Sequence, residues 1–162
     1  MYYCYAILYS NIYREKYAAF LKIDFPRIPF TNDYKLFLQS AKLGEDLANL
    51  HLLKHKDLNY PETKYFGKGD SDKIEKPIYN IEEHRVYINE SRYFDNVSNN
   101  VWDYQIGGYR VMEKYLKDRR GREMDDPAHY CKIAAAISKT IEVQKEIDAL
   151  FADIENSVIQ II

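Results

Sequence analysis

Apolar residues fall on a four-three repeat in two separate stretches, and this constrains the fold more than any other feature of the chain. Leu36, Ser40, Leu43, Leu47, Leu50 and Lys54 are spaced 4, 3, 4, 3 and 4, with Leu at four of the six positions. Far downstream, Ile133, Ile137, Thr140 or Ile141, Gln144, Ile147, Leu150 or Phe151, and Ile154 form a second series. On a helix such a period draws a narrow apolar seam that another helix must cover. Two seams in one chain are buried most simply against each other. The first helix is predicted to start near Asn32 or Asp33. The second starts at Asp126-Pro127, a good N-cap and N1 pair, and runs to about residue 156. Gly44 interrupts the first seam. It either costs about 1 kcal/mol relative to Ala or lets another backbone come close.

Upstream, Ser10 can cap a helix that carries Tyr13, Tyr17, Phe20 and Leu21 on one stripe. Pro26 and Pro29 then forbid a helix and favour an extended crossing. The middle of the chain, about 59–108, reads as short strands and loops. Lys76-Pro77-Ile78-Tyr79-Asn80-Ile81 and Arg85-Val86-Tyr87-Ile88-Asn89 are β-prone, and Tyr93-Phe94 adds another strand. The 67–72 stretch is turn-rich. A single turn at 98–102 leads to extended structure at 103–106 before Gly107-Gly108. A helix is predicted over 109–120, closed by Gly121. The fold class is therefore α+β: a helical stalk of long packed helices with a small, mostly antiparallel sheet and loops.

The chemistry of the chain is sparse. It has no Gly-x-Gly-x-x-Gly, Walker A, Gly-x-Ser-x-Gly or His-Glu-x-x-His pattern. His51 and His55 have metal-compatible i, i+4 spacing, but no local carboxylate or cysteine completes a site, so no metal is expected. His129 falls in a first helical turn, where a neutral role at the edge of the core is expected. Cys131 reads as a small packing residue. The two cysteines, Cys4 and Cys131, are too far apart to suggest a disulfide framework, which points to reduced thiols in a cytosol. The first residues lack a basic region typical of a leader. No apolar run is long enough to span a membrane, and no membrane partner is expected.

Charge is more informative. The chain carries 23 basic and 25 acidic residues, a net charge of −2, which is unlike a stand-alone nucleic-acid binder. That total hides an asymmetry. Residues 110–122 hold six cations and two anions, and residues 142–155 hold five anions and one cation. The basic stretch lies beside a Tyr-rich region, and the chain has 16 Tyr in all. Cations for phosphates beside loops and strands for base edges is the arrangement a DNA footprint requires. The competing reading is a protein-interaction or dimerisation module built on the paired seams.

Several stretches carry a family resemblance. They are Tyr13-Arg14-Glu15-Lys16-Tyr17 followed by Phe20-Leu21-Lys22-Ile23-Asp24-Phe25-Pro26-Arg27-Ile28-Pro29; Val86-Tyr87-Ile88-Asn89 with Tyr93-Phe94; Val101-Trp102-Asp103-Tyr104-Gln105-Ile106-Gly107-Gly108-Tyr109 running into Lys114-Tyr115-Leu116-Lys117-Asp118-Arg119-Arg120-Gly121-Arg122; and His129-Tyr130 with the helix around Thr140-Ile141 and Glu146-Ile147-Asp148. In this order they resemble the C-terminal specificity domain of Type ISP restriction–modification enzymes and of large adenine-N6 DNA methyltransferases. Tyr115 stands where the family pattern leads one to expect Trp, and keeps an aromatic ring there.

The resemblance implies a target-recognition domain for double-stranded DNA, non-catalytic as this fragment. Its partner would be a methyltransferase core, in the parent polypeptide or a partner subunit. S-adenosylmethionine would be the cofactor of that missing core, with none in this chain. Residues 1–30 would form the N-terminal helix and proline-rich joint to the core, and 31–162 the recognition domain. Arg110, Lys114, Lys117, Arg119, Arg120 and Arg122 are candidates for phosphate contacts. Lys64, Lys68, Lys73, Asn89, Arg92 and Asn96 are candidates for reading base edges. Trp102, Ile106, Gly107, Gly108, Tyr109 and Leu116 are expected to be core rather than contact.

Overall fold

A computed structural model describes residues 1–160. The chain divides into two units, one of Met1–His55 with the chain from Lys139 onward, the other of Lys56–Ser138. The fold is α+β, with six α-helices and a four-stranded antiparallel sheet among the described residues.

In the first unit, α1 (Tyr2–Tyr9) and α2 (Asn11–Lys16) are separated by Ser10, whose extended backbone and hydroxyl, accepting from the Tyr13 amide, start α2. The helix predicted from Ser10 is therefore shorter than its apolar stripe, and a single 3-10 turn follows at Phe20–Lys22. Asp33 caps α3 (Tyr34–His51), its carboxylate accepting from the Lys35 and Leu36 amides at 2.8 and 3.1 Å. Leu36, Ser40, Leu47 and Leu50 are buried as the seam predicts, whereas Lys54 lies beyond the helix.

The two seams do not form a two-helix pair on their own. Tyr3 and Ile7 of α1 share one cluster with Leu36 of α3 and with Phe151 and Ile154 of α6 (Pro127–Asn156). Ala6 shares a second with Leu47 and Ile147. Gly44 is where α1 meets α3: a Cβ there would collide with the Tyr2 carbonyl oxygen. On α6 the inward residues are Ile137, Thr140, Gln144, Ile147, Phe151 and Ile154, which settles the open alternatives in favour of Thr140 and Phe151. Most of each seam is thus buried inside the chain, with Leu43 and Leu150 half-buried against the same clusters. The break at Ser10 is received by α6: the Ser10 hydroxyl donates to Asp148 at 2.7 Å and Gln144 donates to the Tyr9 carbonyl at 3.0 Å.

The proline-rich crossing is held by buried tyrosines. Proline has no N–H, so the segment cannot knit itself into a ladder. Instead the Tyr3 hydroxyl donates to the Pro29 carbonyl at 2.6 Å and the Tyr13 hydroxyl to the Arg27 carbonyl at 3.0 Å. Burial raises the pKa of both phenols, keeping them protonated donors.

The second unit is built on β1 (Lys64–Gly67), β2 (Ile78–Asn80), β3 (Arg85–Tyr87) and β4 (Arg92–Asp95), in the order β1-β4-β3-β2, every pairing antiparallel. The sequence reading finds β2, β3 and β4 but misses β1. Tyr65, Phe94, Val86 and Tyr79 align across one face. Phe94 packs on Tyr130 with ring centroids 4.3 Å apart, and Tyr79 stacks on Trp102 of α4 (Asn99–Asp103) at 5.1 Å. A short hairpin follows, β5 (Gln105–Ile106) and β6 (Tyr109–Arg110), and then α5 (Val111–Lys117). The helix predicted over 109–120 is therefore corrected at both ends. Tyr109 and Arg110 are strand because Gly107-Gly108 folds the chain back on itself, and the helix gives way to turns four residues before Gly121.

Candidate nucleic-acid interface

All twelve residues singled out in the sequence lie in the Lys56–Ser138 unit. Helix α5 owes its position to Met112 and Leu116, both fully buried, with the Tyr130 hydroxyl donating to the Met112 carbonyl at 3.2 Å. Its other face carries the cations to solvent, though several have partners. Lys114 pairs with Asp118 at 2.8 Å, Lys117 with Glu113 at 2.9 Å, and Arg110 with Asp103 at 3.0 Å. These pairs are exposed, and each contributes only about 0–1 kcal/mol, so an incoming phosphate can displace them. Arg119 is different. Its guanidinium lies 3.7 Å from the Tyr115 ring centroid, and Nη1 donates to the Tyr115 carbonyl at 3.1 Å. Arg120 and Arg122 are exposed and have no ion-pair partner among the described residues.

Backbone hydrogen bonds bring the end of the basic stretch to the loop after β1. The Ile74 amide donates to the Arg122 carbonyl at 2.9 Å, Gly121 donates to Ile74 at 2.7 Å, and Met124 donates to Asp72 at 2.9 Å. Lys73 thus bridges with Glu123, beside Arg122, despite their distance in sequence. Lys68 sits exposed on the same loop.

Asn89 and Arg92 hold that loop in shape. Asn89 Nδ2 donates to the Ser71 and Lys73 carbonyls at 3.2 and 3.0 Å, and its Oδ1 accepts from the Ser91 and Arg92 amides at 3.0 and 2.8 Å. Arg92 donates to the Gly67 and Gly69 carbonyls at 2.8 and 2.9 Å and forms an ion pair with Asp72 at 2.8 Å. Lys64 opens β1 on the exposed side, paired in register with Asp95. Asn96 lies in the left-handed region at φ 59°, which Asn tolerates well, and its carbonyl accepts from the Thr63 hydroxyl at 3.0 Å.

Two features escape the sequence reading. On the sheet face opposite Phe94, the register lines up Phe66, Tyr93, Tyr87 and Ile78 across all four strands. Arg85 lies over Tyr93 at 4.6 Å and donates to Asp95 at 2.8 Å. The alternation of β1 to β4 carries this signal, but only once the strands are registered. The second is the hairpin tip. Trp102 and Leu116 are core as expected, but Ile106 is 53% and Tyr109 64% exposed and Gly107 and Gly108 are exposed with them, so the expectation that these four are core is wrong. A two-residue turn has no interior in which to bury them. Tyr109 and Arg110 instead line a shallow groove with Lys114 and Lys117.

His51 closes α3 and lies half-buried, with Nδ1 2.7 Å from the Tyr5 hydroxyl and Nε2 3.2 Å from that of Thr140. His55 lies beyond the end of the helix, so the i, i+4 pairing is not realised. His129 is half-buried near Tyr115, and its amide donates to Asp126 at 2.9 Å. Burial pushes the Cys131 thiol up to about 11, as suits an inert packing residue. No group of three or more potential metal ligands occurs among the described residues. No helix there is long and apolar enough to cross a membrane.

Comparison with known proteins follows the same lines. The family model of the Type ISP C-terminal specificity domain matches residues 1–146. No curated protein matches the chain. Among solved structures, a nuclease-deletion mutant of the Type ISP restriction-modification enzyme LlaGI, in complex with a DNA substrate mimic, is 20% identical with a TM-score of 0.69, the match covering 90% of this chain and 16% of that one. The ATP-dependent Type ISP enzyme LlaBIII bound to DNA is 18% identical with a TM-score of 0.69, covering 91% and 11%. A DrdV–DNA complex is 20% identical with a TM-score of 0.67, covering 90% and 17%. The chain therefore spans less than a fifth of each of these proteins.

Proposed function

The chain belongs to the Type ISP C-terminal specificity domain family, and on that premise we propose that it recognises a DNA target sequence for a restriction–modification methyltransferase. It does so by binding alone. The methyltransferase core and its S-adenosylmethionine are supplied by the parent polypeptide or a partner subunit. Residues 1–30 serve as the joint to that core, with the crossing fixed by Tyr3 and Tyr13.

One observation carries this reading. The end of the cationic 110–122 segment and the loop that carries Lys73, far apart in sequence, are knitted together by backbone hydrogen bonds. Arg110, Lys114, Lys117, Arg120 and Arg122 contact phosphates, and Arg119 supports the surface through Tyr115. Lys64, Lys68, Lys73 and Asn96 approach bases in this reading, while Asn89 and Arg92 hold the 67–73 loop that presents Lys68 and Lys73. Phosphate contacts fix register and base contacts specify sequence.

The test is binding of the chain to a mixed-sequence duplex across a salt titration. Affinity is expected to fall linearly on logarithmic axes with rising salt. Arg120→Glu/Arg122→Glu is expected to make that slope shallower by about 1.8, from two phosphate contacts at about 0.9 each. A folded wild-type chain with no DNA affinity at low salt would refute the reading.

A further inference from the structure

The hairpin of β5 and β6 is the one part of the basic surface whose shape the phosphate role leaves unexplained. Gln105, Ile106, Gly107, Gly108, Tyr109 and Arg110 are all exposed. A Cβ built on Gly107 or Gly108 would meet nothing within 4 Å, so nothing packs on the tip where a side chain would project. The glycines serve the turn: φ values of +59° and +82° are those of a type I′ hairpin, which only Gly, Asn or Asp adopt readily. A two-stranded ribbon of this size has no stability of its own. It is held at its base, where the Val111 amide donates to the Tyr104 carbonyl at 3.1 Å and Trp102 and Met112 are buried. A rigid base therefore presents a narrow tip with a cross-strand Ile106–Tyr109 pair and, below it, a Gln105–Arg110 pair.

We infer that this hairpin enters the major groove of double-stranded DNA and makes base contacts, a reading that rests on the DNA-binding function proposed above. The size is suitable: two strands about 4.8 Å apart fit a groove about 12 Å wide, which admits a β-ribbon. The charge is suitable too, because the hairpin leads directly into α5, with Lys114 5.6 Å from the Tyr109 ring. Gln is the side chain that pairs bidentately with an adenine edge, and Ile and Tyr supply apolar contact to thymine methyls, while Arg110 at the foot of the hairpin keeps its phosphate role. The Gln105 amide has no hydrogen-bond partner among the described residues, and Arg110 has only its exposed pair with Asp103.

Ile106→Ala/Tyr109→Ala tests this. Both side chains are exposed, so the fold should persist, with an unchanged melting curve. Affinity for duplexes that the wild-type chain selects from a random-sequence pool is expected to fall by about tenfold, the scale of one lost base contact, with the slope against salt unaltered because no phosphate contact is removed. Should the double variant unfold, Tyr109→Ser carries the same expectation. Wild-type affinity in a folded variant overturns the groove assignment while leaving the DNA reading intact, provided Arg120→Glu/Arg122→Glu still weakens binding. Loss of affinity accompanied by a shallower slope also overturns it, by making the hairpin a backbone contact. A wild-type chain that binds no DNA overturns both.

Discussion

Gly44 shows how a single residue decides the packing of an element. In an isolated helix Ala would be better by about 1 kcal/mol. Here the added methyl would collide with the Tyr2 carbonyl, and backbone cannot step aside as a flexible side chain can. Overpacking of this kind costs about 1–3 kcal/mol, so the collision outweighs the propensity gain. Gly44→Ala is expected to lower the unfolding free energy in urea. A second prediction at this scale concerns His51. Burial holds its pKa below the ordinary 6.5, so the unfolded chain binds a proton that the folded one refuses. Stability from this group is complete above pH 6.5 and is lost as pH falls from there through the folded pKa. The melting temperature should drop between about pH 7 and 5, and His51→Gln should show a shallower drop. Both residues stand out in the sequence, Gly44 as either a defect or a point of close approach and His51 as half of a metal-compatible pair. Which reading holds depends on neighbours the sequence does not place beside them.

At the scale of elements, local chemistry was the better guide where a cap or a turn residue was involved. Asp33 capping α3, Asp126-Pro127 opening α6, and the Gly107-Gly108 turn follow from a few adjacent residues. Strand β1 was missed because Lys64-Tyr65-Phe66-Gly67 becomes a strand only by pairing with β4, far along the chain. The hairpin was misjudged for a related reason: apolar character argues for burial, but Ile106 and Tyr109 lie on a two-residue ribbon with nothing to cover them. Helix α5 adds a correction to the charge argument. Glu113 and Asp118 partly neutralise Lys117 and Lys114. Glu113→Gln/Asp118→Asn is therefore expected to strengthen DNA binding and steepen its salt dependence, while changing stability by less than about 1 kcal/mol because both pairs are exposed. A salt titration beside a urea melt checks both halves.

For the whole molecule, the two units divide the work. The unit of α1, α2, α3 and the later part of α6 holds a core of Tyr3, Ile7, Leu36, Phe151 and Ile154. The Lys56–Ser138 unit carries every candidate DNA contact. Charge reversal on the first unit, as in Lys35→Glu/Lys42→Glu, should leave the salt slope of DNA binding unchanged, whereas Lys114→Glu/Lys117→Glu should make it shallower. The contrast tests whether binding follows the basic surface or net charge, since both variants change the latter equally. Seams, caps, the proline crossing and the cationic segment were determined by the sequence alone, because each depends on residues within a few turns of one another. The family resemblance, spread in order over nearly the whole chain, was legible there too. Only the tertiary structure decided that α1 joins the two seams, that β1 completes the sheet, that the Lys73 loop meets Arg122, and that the hairpin tip stands in solvent. Each of these depends on contacts between distant segments, whose closure is set by the packing of the whole core and leaves no periodic trace in either segment alone.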